Sequence, residues 1–205
     1  MSRRWRFMAF SNGADTIRFT YLKKPKTGML GYAGIMESSL FDEIIVVVDN
    51  RPEEDKQYDL ACALQTGKNG YSGVILDRDI FTGFLQGSDM ARMTVFHEIG
   101  HIYHKDVLRH IGNEERKKIV EQGEVSIPEL EADRFAADFL GTDTVINGLG
   151  DLREEAMALY GENHTEETDL VLQELKLRQV LLTESNSDNL FKARGKQIAI
   201  DRRLL

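Results

Sequence analysis

Thr94-Val95-Phe96-His97-Glu98-Ile99-Gly100-His101 is the stretch whose reading decides the rest of the chain. It contains His-Glu-x-x-His. On a helix, residues four apart lie on one face, so His97 and His101 point toward a common centre. Glu98 stands beside the pair, placed to act as general base toward a water on a bound metal. Ser88 supplies a cap for such a helix, and the pattern carries it to about Val107 or Leu108. Two histidines do not complete a site. Zinc in a working site takes a third protein ligand and keeps one position open.

Downstream, Pro128 to Leu140 reads as a helix, with proline in its first turn and Gly141 at its end. Glu129 and Asp133 are four apart and share a face. Leu130, Phe135, Ala136, Ala137, Phe139 and Leu140 supply apolar surface, and the alanines permit close approach to another helix. Laid across the histidine helix, this segment brings one carboxylate to a His-His-Glu site, a normal donor set for Zn2+.

These two segments together carry a resemblance. His-Glu-x-x-His, followed 28 positions after His101 by Glu129-Leu130-Glu131-Ala132-Asp133-Arg134-Phe135-Ala136-Ala137-Asp138-Phe139-Leu140, resembles the gluzincin arrangement. More narrowly, it is similar to the ImmA/IrrE family of bacterial and phage metallopeptidases, over Tyr71 to Leu140. The resemblance implies a zincin-like core. It implies Glu129 as the third zinc ligand, because Glu129-x-x-Ala132-Asp133 fits the family's second motif where Glu131 does not. It implies that Asp133 stands behind the ligands and holds a histidine by its other ring nitrogen. It also implies that Val74-Ile75-Leu76 is the edge strand along which an extended substrate chain pairs. The substrate so implied is a transcriptional repressor or another regulatory protein, in a phage or mobile element.

Other candidates are weaker. His104 is seven after His97 and three after His101. As a fourth ligand it would close the site to water, so a place behind the ligands or at the helix end suits it better. His104 and Val107 also stand where a metzincin has its glycine and third histidine. His110 and His164 have no matching spacing and read as surface or packing residues. Tyr103 and Tyr160 are candidates for stabilising an oxyanion, although Tyr103, two residues after His101, faces away from it. Cys62 reads as buried and inert.

Working outward, Thr16 to Leu22 alternates as a strand, and Lys23 to Gly28 breaks it. Leu30 to Met36 is a second extended piece. Ile44 to Val48 is apolar on both faces, which predicts cover on both. Pro52 to about Thr66 reads as a helix on the spacing of Tyr58, Ala61, Cys62 and Gln65. Tyr71 to Asp77 is a further strand. Glu114 to Glu124 is charged and reads as a solvated helical face. Asp151 to Tyr160 and Glu166 to Thr183 read as helices. In the second, Leu170, Leu172, Leu175, Leu177, Val180, Leu181 and Leu182 predict a buried face, while Glu174, Lys176, Arg178 and Gln179 predict a wet one.

The fold class is α+β. Residues 1–140 form a metallopeptidase-like core with a small sheet, an active-site helix and a second ligand helix. Residues 141–205 form a mostly helical extension, packed on the core or making a homo-oligomer contact through 166–183. The net charge of −8, from 34 acidic and 26 basic side chains, argues against direct nucleic-acid binding. The single cysteine excludes an intrachain disulfide. Met1-Ser2-Arg3-Arg4-Trp5-Arg6 has a signal-like charge, but Ser11-Asn12-Gly13 interrupts the apolar run after it, and no stretch is long enough for a membrane span. A cytoplasmic location follows as the expectation. Three functions fit: a zinc-dependent endopeptidase acting on an intracellular regulatory protein, a metal-containing interaction module without catalysis, and a zinc-stabilised structural protein.

Overall fold

The computed structural model describes residues 5–25, 27–52, 55, 60–65, 72–107, 113–161 and 165–188. His110, His164, Tyr71 and the tail 189–205 lie outside the described residues, as does most of the segment 52–60. The fold is α+β. Its strands are β1 (Trp5–Ser11), β2 (Thr16–Leu22), β3 (Leu30–Glu37), β4 (Ile44–Asp49), β5 (Ala61–Gln65) and β6 (Ser72–Asp77). Its helices are α1 (Arg78–Gln86), α2 (Asp89–His104), α3 (Asn113–Glu121), α4 (Ile127–Leu140), α5 (Thr142–Tyr160) and α6 (Glu166–Asp188). Among the described residues, no helix is long and apolar enough to cross a membrane.

The strands form one mixed sheet in the order β1-β2-β3-β4-β6-β5. β1 to β4 run as an antiparallel meander, β6 pairs parallel to β4, and β5 pairs antiparallel to β6. Alternation sets the inward face. Ile17, Phe19 and Tyr21 of β2, Ile44, Val46 and Val48 of β4, and Val74 and Leu76 of β6 are buried. The other face of β4 is less covered than expected, since Ile45 and Val47 are only half-buried.

Three elements differ from the sequence reading. β1 forms where an interrupted apolar run was read. Asn12-Gly13 is the turn that pairs it with β2: Gly13 has φ +92°, and Asn12 Oδ1 accepts from the N–H groups of Ala14 and Asp15. The Ala61-to-Gln65 part of the expected helix is strand β5, because pairing with β6 outweighs a helical spacing carried by very few positions. α1 was not anticipated, although Asp77 caps it by accepting from Asp79 N–H at 2.7 Å.

The histidine helix is fixed from several sides. Phe96 packs on Phe10 of β1, Phe84 of α1 and Phe139 of α4, with ring centroids 4.8, 6.5 and 5.9 Å apart. Ile99 is fully buried. α2 begins at the Ser88 cap and ends earlier than the pattern suggested, because Lys105 adopts a left-handed conformation, φ 59°, and turns the chain. α5 starts at Thr142, well before Asp151, and lies against α2. There Gly148 lets the helices close up, since a Cβ on it would stand 2.7 Å from Met93 Cβ.

The crossing of α2 on α4 is as close. A Cβ on Gly100 would lie 2.7 Å from Ala132 Cα and 3.0 Å from its carbonyl oxygen. The nearest atoms are backbone and the next is the Ala132 Cβ, at 3.2 Å, so no side chain can rotate away. Gly100→Ala should therefore push the two helices apart, lowering stability by about 1–3 kcal/mol, the usual range for overpacking. Denaturant unfolding checks this. Gly150→Ala is the comparison, because its added methyl meets only the Gln179 amide, at 3.0 Å.

Candidate metal centre

Two helices supply the centre. α2 carries His97 and His101 one turn apart, and α4 carries Glu129 in its first turn. His97 Nε2 and His101 Nε2 are 3.0 Å apart. Glu129 Oε2 is 3.2 Å from His97 Nε2, and Oε1 is 3.6 Å from His101 Nε2. Donors bound tetrahedrally at the usual Zn–N and Zn–O lengths sit roughly 3.3–3.4 Å apart. One ligand atom from each of the three residues lies within 4.8 Å of the others, so the set fits a metal ion. The donors suit zinc, and the spacing alone does not choose among divalent metals.

Carboxylates behind the histidines fix their tautomers. His97 Nδ1 is 2.8 Å from Asp133 Oδ1, and His101 Nδ1 is 2.8 Å from Asp106 Oδ1. With each Nδ1 turned to an aspartate, Nε2 is the nitrogen that each ring turns to the centre. The sequence reading placed Asp133 there. It missed Asp106, which lies beyond the helix end and reaches His101 because the Lys105 turn brings the chain back. Asp106 N–H also donates to the His101 carbonyl at 3.1 Å. His104, expected behind the ligands, touches neither histidine nor Glu129. Its Nδ1 lies 3.8 Å from Glu131 Oε2, and its ring contacts Tyr103. Axial rise explains this: seven residues carry His104 about 10.5 Å along the helix from His97, beyond the pair and at the end of α2.

Arg178 of α6 is the largest feature missed. It was read onto the wet side of the last helix, yet it is 8% exposed, and Glu174 is 3% exposed. Its Nε donates to Asp133 Oδ2 at 2.7 Å and its Nη2 to Oδ1 at 2.5 Å, while Nη1 lies 3.2 Å from Glu129 Oε2. Glu174 is neutralised by Arg116 of α3. The sequence signal was available: Arg178 lies three residues from both Leu175 and Leu181, on the apolar face. Leu175 and Leu182 join the main core, and Leu177 and Leu181 pack with Val120, Val125 and Leu130. The apolar face of 166–183 is thus used within the chain. Arg116, and Lys117 paired with Glu166, also tie the supposedly solvated α3 to α6.

Glu98 is half-buried, and its Oε2 accepts from the backbone N–H of Ala63 at 2.7 Å. This corrects the substrate strand. Val74, Ile75 and Leu76 lie on β6, which is hydrogen-bonded on both sides, to β4 and β5. An interior strand has no free backbone groups to offer. Among the described residues the sheet ends on β1 and β5, and β5 lies beside the histidine helix. Cys62, read as buried on a helix, is half-buried on that strand. Burial, and then the Glu98 charge, push its thiol pKa up, away from reactivity. Tyr103 stacks on Phe135, with centroids 5.1 Å apart.

The charges are tightly coupled. Burial and Arg178 oppose protonation of His97, but Glu129 and the bond to Asp133 outweigh them, and its pKa is pushed up to about 10. Burial favours a neutral Glu129, but His97, Arg178 and His101 hold it well below the usual carboxylate range. Burial likewise opposes charge on Asp133, and Arg178 with His97 reverses the effect and lowers its pKa. Burial works against the charge on Arg178 too, and Asp133 and Glu129 more than restore it. The chain matches no family model, no curated protein and no solved structure.

Two outcomes follow. A metal must take the lone pair that a proton holds on His97, so uptake near pH 7 should release a proton, and affinity should rise as pH rises toward 10. Calorimetric titration in two buffers of different ionisation enthalpy reads that proton directly. Asp106→Ala should weaken metal affinity about 10–100-fold. His104→Ala should leave it unchanged. Competition against a chromophoric chelator separates the two.

Proposed function

We propose that the protein is a zinc-dependent endopeptidase with a zincin-like core, acting on a regulatory protein such as a transcriptional repressor. One observation carries the reading: His97, His101 and Glu129 converge on one point, with Glu98 on the neighbouring position of the same helix. When bound, zinc supplies Lewis acidity, which makes water nucleophilic near neutral pH. The remaining work falls to the chain. Asp133 and Asp106 hold the Nδ1 atoms of His97 and His101, so Nε2 is the nitrogen each would offer the metal once its proton has left. Glu98 is the general base. It takes a proton from the attacking water and returns it to the departing amine. Its Oε2 accepts from Ala63 N–H, which leaves Oε1 as the oxygen to take that proton. β5 supplies an edge on which an extended substrate chain adds as a further strand, provided Glu98 gives up the N–H of Ala63.

A second reading has one observation in its favour. Glu98 bonds Ala63 N–H, so its role is also met by a structural tie between α2 and β5, in a metal-containing interaction module without catalysis. Glu98→Gln separates the two. The glutamine carbonyl can still accept from Ala63 N–H, so fold and metal content should persist. The amide cannot accept a proton from water, so hydrolysis should fall about 10²–10⁴-fold. Cell extracts treated with each protein, and compared for new protein termini, read the difference without a chosen substrate. Metal content is measured alongside. Equal cleavage by both proteins removes Glu98 as the base, and no cleavage by either leaves the interaction module.

A further inference from the structure

We propose that Arg178 is the positioning residue of the metal centre, and that α6 is therefore a working part of that centre. The proposal rests on the metal-binding reading above.

The geometry is a fork that spans two carboxylates. Nε and Nη2 hold both oxygens of Asp133, and Nη1 reaches Glu129 Oε2 at 3.2 Å. A guanidinium makes these contacts at once because its donors are fixed in one plane. Asp133 Oδ1 is shared between Arg178 Nη2 and His97 Nδ1. The plane that Arg178 imposes on Asp133 thus sets the direction from which the carboxylate meets His97. The third contact addresses a different problem. Glu129 projects from the first turn of α4, and its side chain is 30% exposed. Nothing in α4 itself confines that side chain, whereas Nη1 restrains the oxygen that also faces His97. One side chain therefore aligns a ligand and the partner of another ligand. Arg178 is too enclosed to meet a substrate, so its part is positioning and not catalysis.

Arg178 is itself held in register. On either side of it, Gln173 Nε2 donates to the Val120 carbonyl at 3.3 Å and Gln179 Nε2 to the Ile146 carbonyl at 3.0 Å. Leu177 and Leu181 are buried beside it. Helix docking and ligand geometry are consequently linked, and linkage is reciprocal: whatever tightens the ligands tightens the helix.

The test uses Co2+ as a spectroscopic probe on the full chain. Wild type should bind it and show the visible bands of a low-coordinate site. Arg178→Lys keeps the charge but loses the fork. It should bind Co2+ about 10–100-fold more weakly, with altered bands. Gln179→Ala loosens α6 without touching the carboxylates. It should lower Tm and leave the Co2+ spectrum alone. A wild-type spectrum and affinity in Arg178→Lys overturns the proposal, and so does an equal spectral change in Gln179→Ala. If Arg178→Lys fails to fold, hydrogen exchange in the wild type decides. Loading with Co2+ should slow amide exchange across residues 169–182, and unchanged exchange there overturns the proposal. A wild type that binds no Co2+ or Zn2+ overturns the metal reading itself, and this inference with it.

Discussion

A carboxylate with no access to water must be neutralised by the protein around it. Asp133 is fully buried, and leaving it unpaired would cost several kcal/mol. Its partners come from two other helices, His97 of α2 and Arg178 of α6. Those helices can reach it only if α4 lies where it does. The requirement therefore ties three helices to one point, and the ligand histidine is one of the satisfying groups. The centre is in this sense the solution to a problem of buried charge, with metal-binding geometry as the result.

The second constraint is steric, and α2 divides its circumference accordingly. Phe96 faces the aromatic cluster formed with β1, α1 and α4. Met93 faces Gly148 of α5, and Gly100 faces Ala132 of α4. Glu98 faces β5. The histidines occupy what is left. A helix used on so many sides has little freedom to rotate, and a rotation of even a few tens of degrees would misalign the Nε2 atoms. Rigidity on the apolar sides is what makes the polar side accurate.

The sequence was most readable where one helix carried its own signal. His97 and His101 converge because helical spacing guarantees it, and Glu129 and Asp133 share a face for the same reason. The class α+β followed from alternating strands and capped helices. What could not be read were contacts made by tertiary placement. Asp106 reaches His101 through a left-handed Lys105, and no propensity rule picks that residue over its neighbours. Arg178 was read as wet because a charged side chain is usually exposed. Its position on the apolar face carried the contrary signal, and only a buried countercharge could have given that signal meaning. The resemblance makes β6 an edge, and the strand that covers it, β5, reads as helix in the sequence. A five-residue strand of alanine, cysteine and leucine has too little periodicity to separate the two.

The centre is assembled from residues far apart along the chain. His97 and Asp133 are 36 positions apart, and His97 and Arg178 are 81 apart. Synthesis proceeds from one end, so both histidines, Glu129 and Asp133 emerge well before the arginine that neutralises Asp133. Until α6 follows, the nascent chain carries two acidic groups that are poorly matched to a dry helix crossing. Asp133 then has His97 but lacks the guanidinium that holds both of its oxygens. The charge balance of the α2–α4 crossing is thus completed by one of the last described elements to be synthesised.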